Sequence, residues 1–282
     1  VKNKVLKLPD NGRNKNRIGG ITLADGTAFG GTAEGEPLYR YYGYVVDHII
    51  ETQEQADNAM YDSSAKGYRP SDGKNIAGRK EIGDYEWKNR EGSQTKDGKD
   101  YIDSQDQFLL GYTVPHSTGG LNNNFTYKNF TLNIFVDWAL GHSINNNSEM
   151  RYFMNTFANN YTLIDEVKQC WKQPGDNTKY ARFTANDPDD GNANFSRTSN
   201  VFNYKGDYLC IREISLQYNV PTNKLTKLGI QNLAITLAGN NLHYFTAVKG
   251  VSPEVGASTT YNKDYYNYPP IRKYSVGVKV TF

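Results

Sequence analysis

The chain has 282 residues, with 32 Lys and Arg against 30 Asp and Glu, for a formal net charge of +2. That near-balance gives nucleic acid no electrostatic reason to bind, and the length suits one large domain or two small ones. Mean hydropathy is strongly negative and no stretch approaches eighteen apolar residues, so no transmembrane helix is expected; this leaves a membrane β-barrel open.

Tyrosine and glycine are plentiful, which suits many strands joined by polar loops. Cys170 and Cys210 are too few for a disulfide scaffold and read as unpaired or buried thiols. The chain starts at Val1, with no initiator Met or signal peptide, and VKNKVLKL reads like the inside of a strand. The expectation is a piece of something longer.

Alternation is the main signal. The first two candidate strands are 1–8 and 38–47. The segment GGLNNNFTYK puts Leu121, Phe125 and Tyr127 on one side and Asn122, Asn124, Thr126 and Lys128 on the other. FTLNIFVDWALGH follows, with Phe130, Leu132, Ile134, Val136, Trp138 and Leu140 sharing a face; Phe135 alone breaks the polar side. These two strands meet at Lys128-Asn129, a tight-hairpin spacing. Next, Ile214, Leu216, Tyr218 and Val220 alternate with Glu213, Ser215, Gln217 and Asn219, and then Leu233, Ile235 and Leu237 with small or polar residues. The last strand carries Tyr274, Val276, Val278, Val280 and Phe282 on one face and Ser275, Gly277, Lys279 and Thr281 on the other.

Runs of about ten residues match a tilted strand crossing a bilayer, whereas soluble strands average nearer five or six. The polar faces, rich in Asn, Lys, Asp, Glu and Gln, suit a water-filled or plugged lumen. The apolar faces would meet lipid, with Tyr127, Trp138, Tyr218 and Tyr274 in interfacial belts. Long connections (about 48–117, 142–207 and 244–271) alternate with short ones, as in an outer-membrane barrel. Counting back from Phe282 gives seven strands, an odd number that does not close a bacterial barrel. The fold class is therefore all-β: a C-terminal segment of an antiparallel transmembrane β-barrel with long extracellular loops.

The stretch from Gly206 to Val255, GDYLCIREISLQYNVPTNKLTKLGIQNLAITLAGNNLHYFTAVKGVSPEV, resembles the C-terminal part of SusC/RagA-type TonB-linked outer-membrane proteins. The family's G-x-D-P-E loop is matched by Gly250-Val251-Ser252-Pro253-Glu254, with Ser252 for the usual Asp. Its YP-x-P-R stretch is matched by Tyr268-Pro269-Pro270-Ile271-Arg272, and its last strand ends, as here, in V-x-F. Upstream, the span from Gly83 to Ile144 looks like the family segment in which an acidic loop precedes a hairpin. The likeness runs from about Gly35 onward.

The resemblance implies a non-enzymatic active importer: a twenty-two-stranded barrel with an N-terminal plug, in the outer membrane of a Gram-negative bacterium. It implies a SusD-like lipoprotein partner that captures glycans or peptides, and TonB pulling on the plug. By this reading residues 1–282 are the C-terminal part of the barrel, with plug and opening strands absent. Phe282 would be the signal read by the barrel-assembly machinery. The other class of reading is a soluble β-sandwich that binds glycans, its apolar faces buried against a second sheet.

Two clusters carry candidate chemistry. Asp97, Asp100, Asp103 and Asp106 lie close together near Gly98, and calcium favours such oxygen-rich loops. Two extra residues before Ile102 depart from the family spacing, and a solvated acidic loop without an ion is the other reading. No other cofactor is called for. Tyr261, Tyr265, Tyr266 and Tyr268 in the last long loop are candidates for contact with substrate or lid, since aromatic faces on loops bind sugars and peptides well. Tyr39, Tyr41, Tyr42 and Tyr44 read as belt or loop packing. His48, His116, His142 and His243 form no zinc motif, and GxSxG, P-loop and Rossmann fingerprints are missing, so the enzyme reading is weak.

Overall fold

The computed structural model describes residues 4–9, 16–23, 25–62, 70–71, 74–75, 80–90, 95–96, 99–145, 163–183, 194–195, 197–221, 223, 225, 229–249, 252–254 and 270–282. Its main feature is one five-stranded antiparallel sheet in simple chain order. We number these strands β1 (Ser117–Tyr127), β2 (Phe130–Leu140), β3 (Tyr208–Asn219), β4 (Asn232–Thr246) and β5 (Lys273–Thr281).

The predicted apolar faces line up across the sheet, apart from register shifts at Phe135/Val136 and Ile211/Glu213. Leu121 faces Val136, Leu132 faces Leu216, Leu216 faces Leu237 and Leu237 faces Val276. One face is thus continuously apolar, and it is open: Phe125 is 57% exposed, Leu237 52% and Val276 72%. Among the described residues no second sheet covers it, as a sandwich would require. At one end the sheet turns tightly at Lys128-Asn129, with Lys128 in the left-handed region at φ 52°. At the other, Leu140, Tyr208 and Thr246 lead into the long connections.

Two large rings flank a glycine pair. Gly119 lies opposite Trp138, and a Cβ there would meet the indole at 2.3 Å. A Cβ on Gly120 would meet Phe135 at 2.9 Å from the polar side. Phe135, the exception to the alternation, thus rests on a gap left by glycine.

Five of the seven expected strands form this sheet. Residues 38–47 do not make a sixth. They split into Arg40–Gly43, which pairs with Phe108–Tyr112, and the start of Val46–Ile49, which pairs with Tyr85–Trp87. At the break Tyr44 donates its N–H to the Thr198 carbonyl instead of continuing the ladder, an approach that leaves no room for a Cβ on Gly43. The described part of 1–8 makes only an isolated bridge, Lys4 to Pro37. Proline lacks the N–H that a ladder needs, and Pro9 follows directly.

Beyond the sheet, segments of two long connections pack into one small core. Tyr85 and Trp87 come from the first; Cys170, Tyr180, Ala181, Phe195 and Phe202 come from the second. Edge-to-face contacts join Tyr85 to Trp87 at 5.4 Å and to Phe195 at 5.9 Å between ring centroids.

Candidate functional site

The polar face of the sheet carries an ionic cluster at its long-loop end. It lies where the three inner strands of the sheet bulge. The step from one outward residue to the next is Ile134 to Val136 on β2, Ile214 to Ile211 on β3 and Gly239 to His243 on β4. Each strand thus inserts one residue more than its neighbour, and β3 gives its extra place to Arg212. On β4, Asn241 takes the left-handed conformation at φ 53°.

Arg212 is gripped from three sides. Its Nε and Nη2 donate to the two oxygens of Asp137 at 2.8 and 2.7 Å, the bidentate fork geometry. Nη1 donates to Asn241 Oδ1 at 2.8 Å and to Tyr244 Oη at 3.2 Å. Glu254, from the loop after β4, pairs with Nη2 and lies 3.4 Å from Nη1.

Beside this cluster is a recess of about 440 Å³ lined by Thr113, Thr118, His142, Tyr208, Arg212 and Glu254, among others. His142 is 6% exposed, and its Nδ1 has no partner among the described residues. Burial lowers its pKa, against the opposing pull of the Pro253 carbonyl and the Asp207 carboxylate. Gly206 lies flat against the ring, where a Cβ would sit 2.4 Å from Nε2.

The loop core has its own buried charge. Asp84 is fully buried; its Oδ1 accepts from Arg182 Nε at 2.6 Å and Asn194 Nδ2 at 2.9 Å, its Oδ2 from the Glu81 N–H at 2.7 Å. Burial opposes ionisation, but the Arg182 charge and these donors outweigh it and hold the carboxyl below its usual range. Nearby, Lys80 pairs with Glu86, which also accepts from the Met60 N–H at 3.0 Å. A second, wider recess of about 710 Å³ opens beside Trp87, His48, Lys88 and the helix Gln53–Asn58.

The acidic loop is used locally. Asp103 and Asp106 form a reciprocal cap on the short turn Ser104–Asp106, and Asp106 also accepts from the Arg90 N–H at 2.9 Å. Asp106 is fully buried, and burial raises its pKa. Asp100 accepts from Asn89. Among the described residues no three such side chains gather as a metal site. Asp97, Tyr261, Tyr265, Tyr266 and Tyr268 lie outside the described residues. Phe282 ends the chain just beyond β5, with 78% of its surface exposed.

Three of the four tyrosines in the first cluster serve packing, while Tyr39 is 44% exposed. Tyr42 lies against Phe29 at 5.4 Å, Tyr44 against Trp87 at 6.1 Å, and Tyr41 hydrogen-bonds to Asn203. Cys170 and Cys210 are both buried free thiols, and burial pushes that of Cys170 up to about 12.

Sequence reasoning did not single out Arg212 or Asp137, and named Glu254 only as the end of a loop motif. The signal was there: Ile211 and Ile214 are three apart, which an unbroken strand cannot place on one face.

No protein-family model matches the chain. It is 28% identical to TonB-dependent receptor P3 of Formosa agariphila over 194 residues, 66% of this chain and 18% of that protein. It is 26% identical to TonB-dependent receptor P39 of the same organism, over 67% of this chain and 18% of that protein. The chain is thus similar to TonB-dependent receptors over about two thirds of its length. It spans about a fifth of the length of these curated relatives. The fold matches part of a chain in a structure of the RagAB peptide importer in the "closed-closed" state, with TM-score 0.59 and 17% identity. That match covers 99% of this chain and 26% of the other. A structure of the RagAB peptide transporter gives TM-score 0.58 and 18% identity, over 89% of this chain and 24% of the other.

Proposed function

We propose that this receptor-like chain is a C-terminal section of the wall of an outer-membrane importer energised through TonB. The observation that carries the reading is the main sheet: long antiparallel strands, one open apolar face, one polar face, a tight turn and a twelve-residue connection at one end and much longer loops at the other. The apolar face meets lipid and the polar face lines the lumen of a barrel of about twenty-two strands. The long loops then stand outside the cell. There they face a SusD-like lipoprotein and the substrate, a glycan or a peptide; the likeness to RagAB supports the peptide. Tyr261, Tyr265, Tyr266 and Tyr268 belong to that contact, and Phe282 is the assembly signal.

Ile134 tests the reading, because it lies mid-strand on the apolar face of β2. In lipid, Ile134→Arg should cost roughly 2–4 kcal/mol and block assembly, seen as loss of the protein from outer-membrane fractions. Normal membrane levels of that variant would sink the proposal.

A further inference from the structure

Arg212 holds two carboxylates of different standing. Asp137 is a neighbour on β2, fixed by sheet register and bound through both its oxygens. Glu254 comes from a loop and reaches the other side of the same guanidinium. We propose that Arg212 is a receptor for the carboxylate group of a ligand, and that Glu254 occupies this place until a ligand carboxylate displaces it. The inference deepens the importer reading and rests on it for the ligand's route along the polar face.

Arg212 is pre-organised without Glu254. Asp137, Asn241 and Tyr244 together fix the plane of the guanidinium, so removing the loop carboxylate leaves the fork in position. The exchange conserves charge: one anion leaves as another enters, and the pair with Asp137 is undisturbed. A neutral ligand offers no such exchange, since it would strip Arg212 of an ionic partner without replacing it. Room for the group attached to the carboxylate lies alongside, in the recess that Glu254 and Arg212 both line. There the buried Nδ1 of His142, unpartnered among the described residues, offers a polar contact. A peptide C-terminus and an acidic sugar share this carboxylate chemistry.

The experiment uses the intact outer-membrane protein purified in detergent, unaltered and as Glu254→Gln, with heat-modifiable gel migration to verify that the barrel is folded. Calorimetry follows the binding of N-acetyl-dialanine and its C-terminal amide, and of glucuronic acid and glucose. Glu254→Gln should bind at least one of the acids about tenfold more tightly than the unaltered protein, with no gain for its neutral counterpart. Which acid gains identifies the source. Adding Arg212→Lys, which keeps the charge and loses the fork, should abolish the gain. Equal binding of acid and neutral analogue, no gain for either acid, or a gain that survives Arg212→Lys overturns the proposal. Such a failure leaves the wall assignment intact, because that assignment is read from the membrane levels of Ile134→Arg.

Discussion

Asp84 shows how one buried charge can organise a loop. Its carboxylate is fully buried and ties three segments together through Arg182, Asn194 and the Glu81 N–H. Replacing it with Asn would leave Arg182 only its pair with the more exposed Glu81, at a cost of about 3 kcal/mol to the loop core. Limited proteolysis of the loops should register this, with Asp84→Asn cut faster than the unaltered protein. The pH dependence has a definite sign. Because the folded pKa lies below the ordinary carboxylate value, the stabilisation is complete above about pH 4. It is lost as pH falls through the depressed folded value, so protease resistance should drop only in strong acid.

At the scale of the element, turns and bulges decide what alternation leaves open. The turn before Tyr85–Trp87 places Gly83 at φ 93°, with Trp171 and Arg182 packed over it. A Cβ there would lie 2.5 Å from the Trp171 ring, so Gly83→Ala combines backbone strain with a clash against an aromatic wall. A cost of roughly 1–3 kcal/mol is expected, measured as faster hydrogen exchange at Tyr85 and Trp87.

The five main strands were legible because period-two patterning over nine or more residues admits one register, in which a slip would turn apolar side chains to the polar face. The hairpin at Lys128-Asn129 was legible for the same reason. The Arg212 cluster was not, because a bulge shifts the phase and periodicity is blind across it. Nor was the loop core: YEW, over 85–87, is too short to carry a period, and its partners Phe195 and Phe202 lie far along the chain. The 38–47 segment misled because its tyrosines suit a strand, while the crowding at Gly43 is set by Leu110 and Thr198, which local sequence does not bring near.

For the whole molecule, the important fact is that the two long connections share a core. Phe202 is fully buried and stacks with Tyr180 at 5.9 Å. Phe202→Ala should cost roughly 3–5 kcal/mol to that unit. Both connections should then become protease-sensitive together, even though the substitution lies in only one. Sensitivity confined to the second would mean that they are separate flaps.

That shared core also imposes an order of assembly. Tyr85 donates its N–H to Asn194, a residue 109 positions away, and the β1–β2 hairpin lies between them. On the proposed wall reading the two connections reach the far side of the membrane separately, and the core draws residues from both. On that reading the shared core forms only after both connections have arrived, in a step governed by long-range encounter. Until then Tyr85 and Trp87 lack the partners that bury them, and on the proposed reading this interval is when the first connection is most open to proteases.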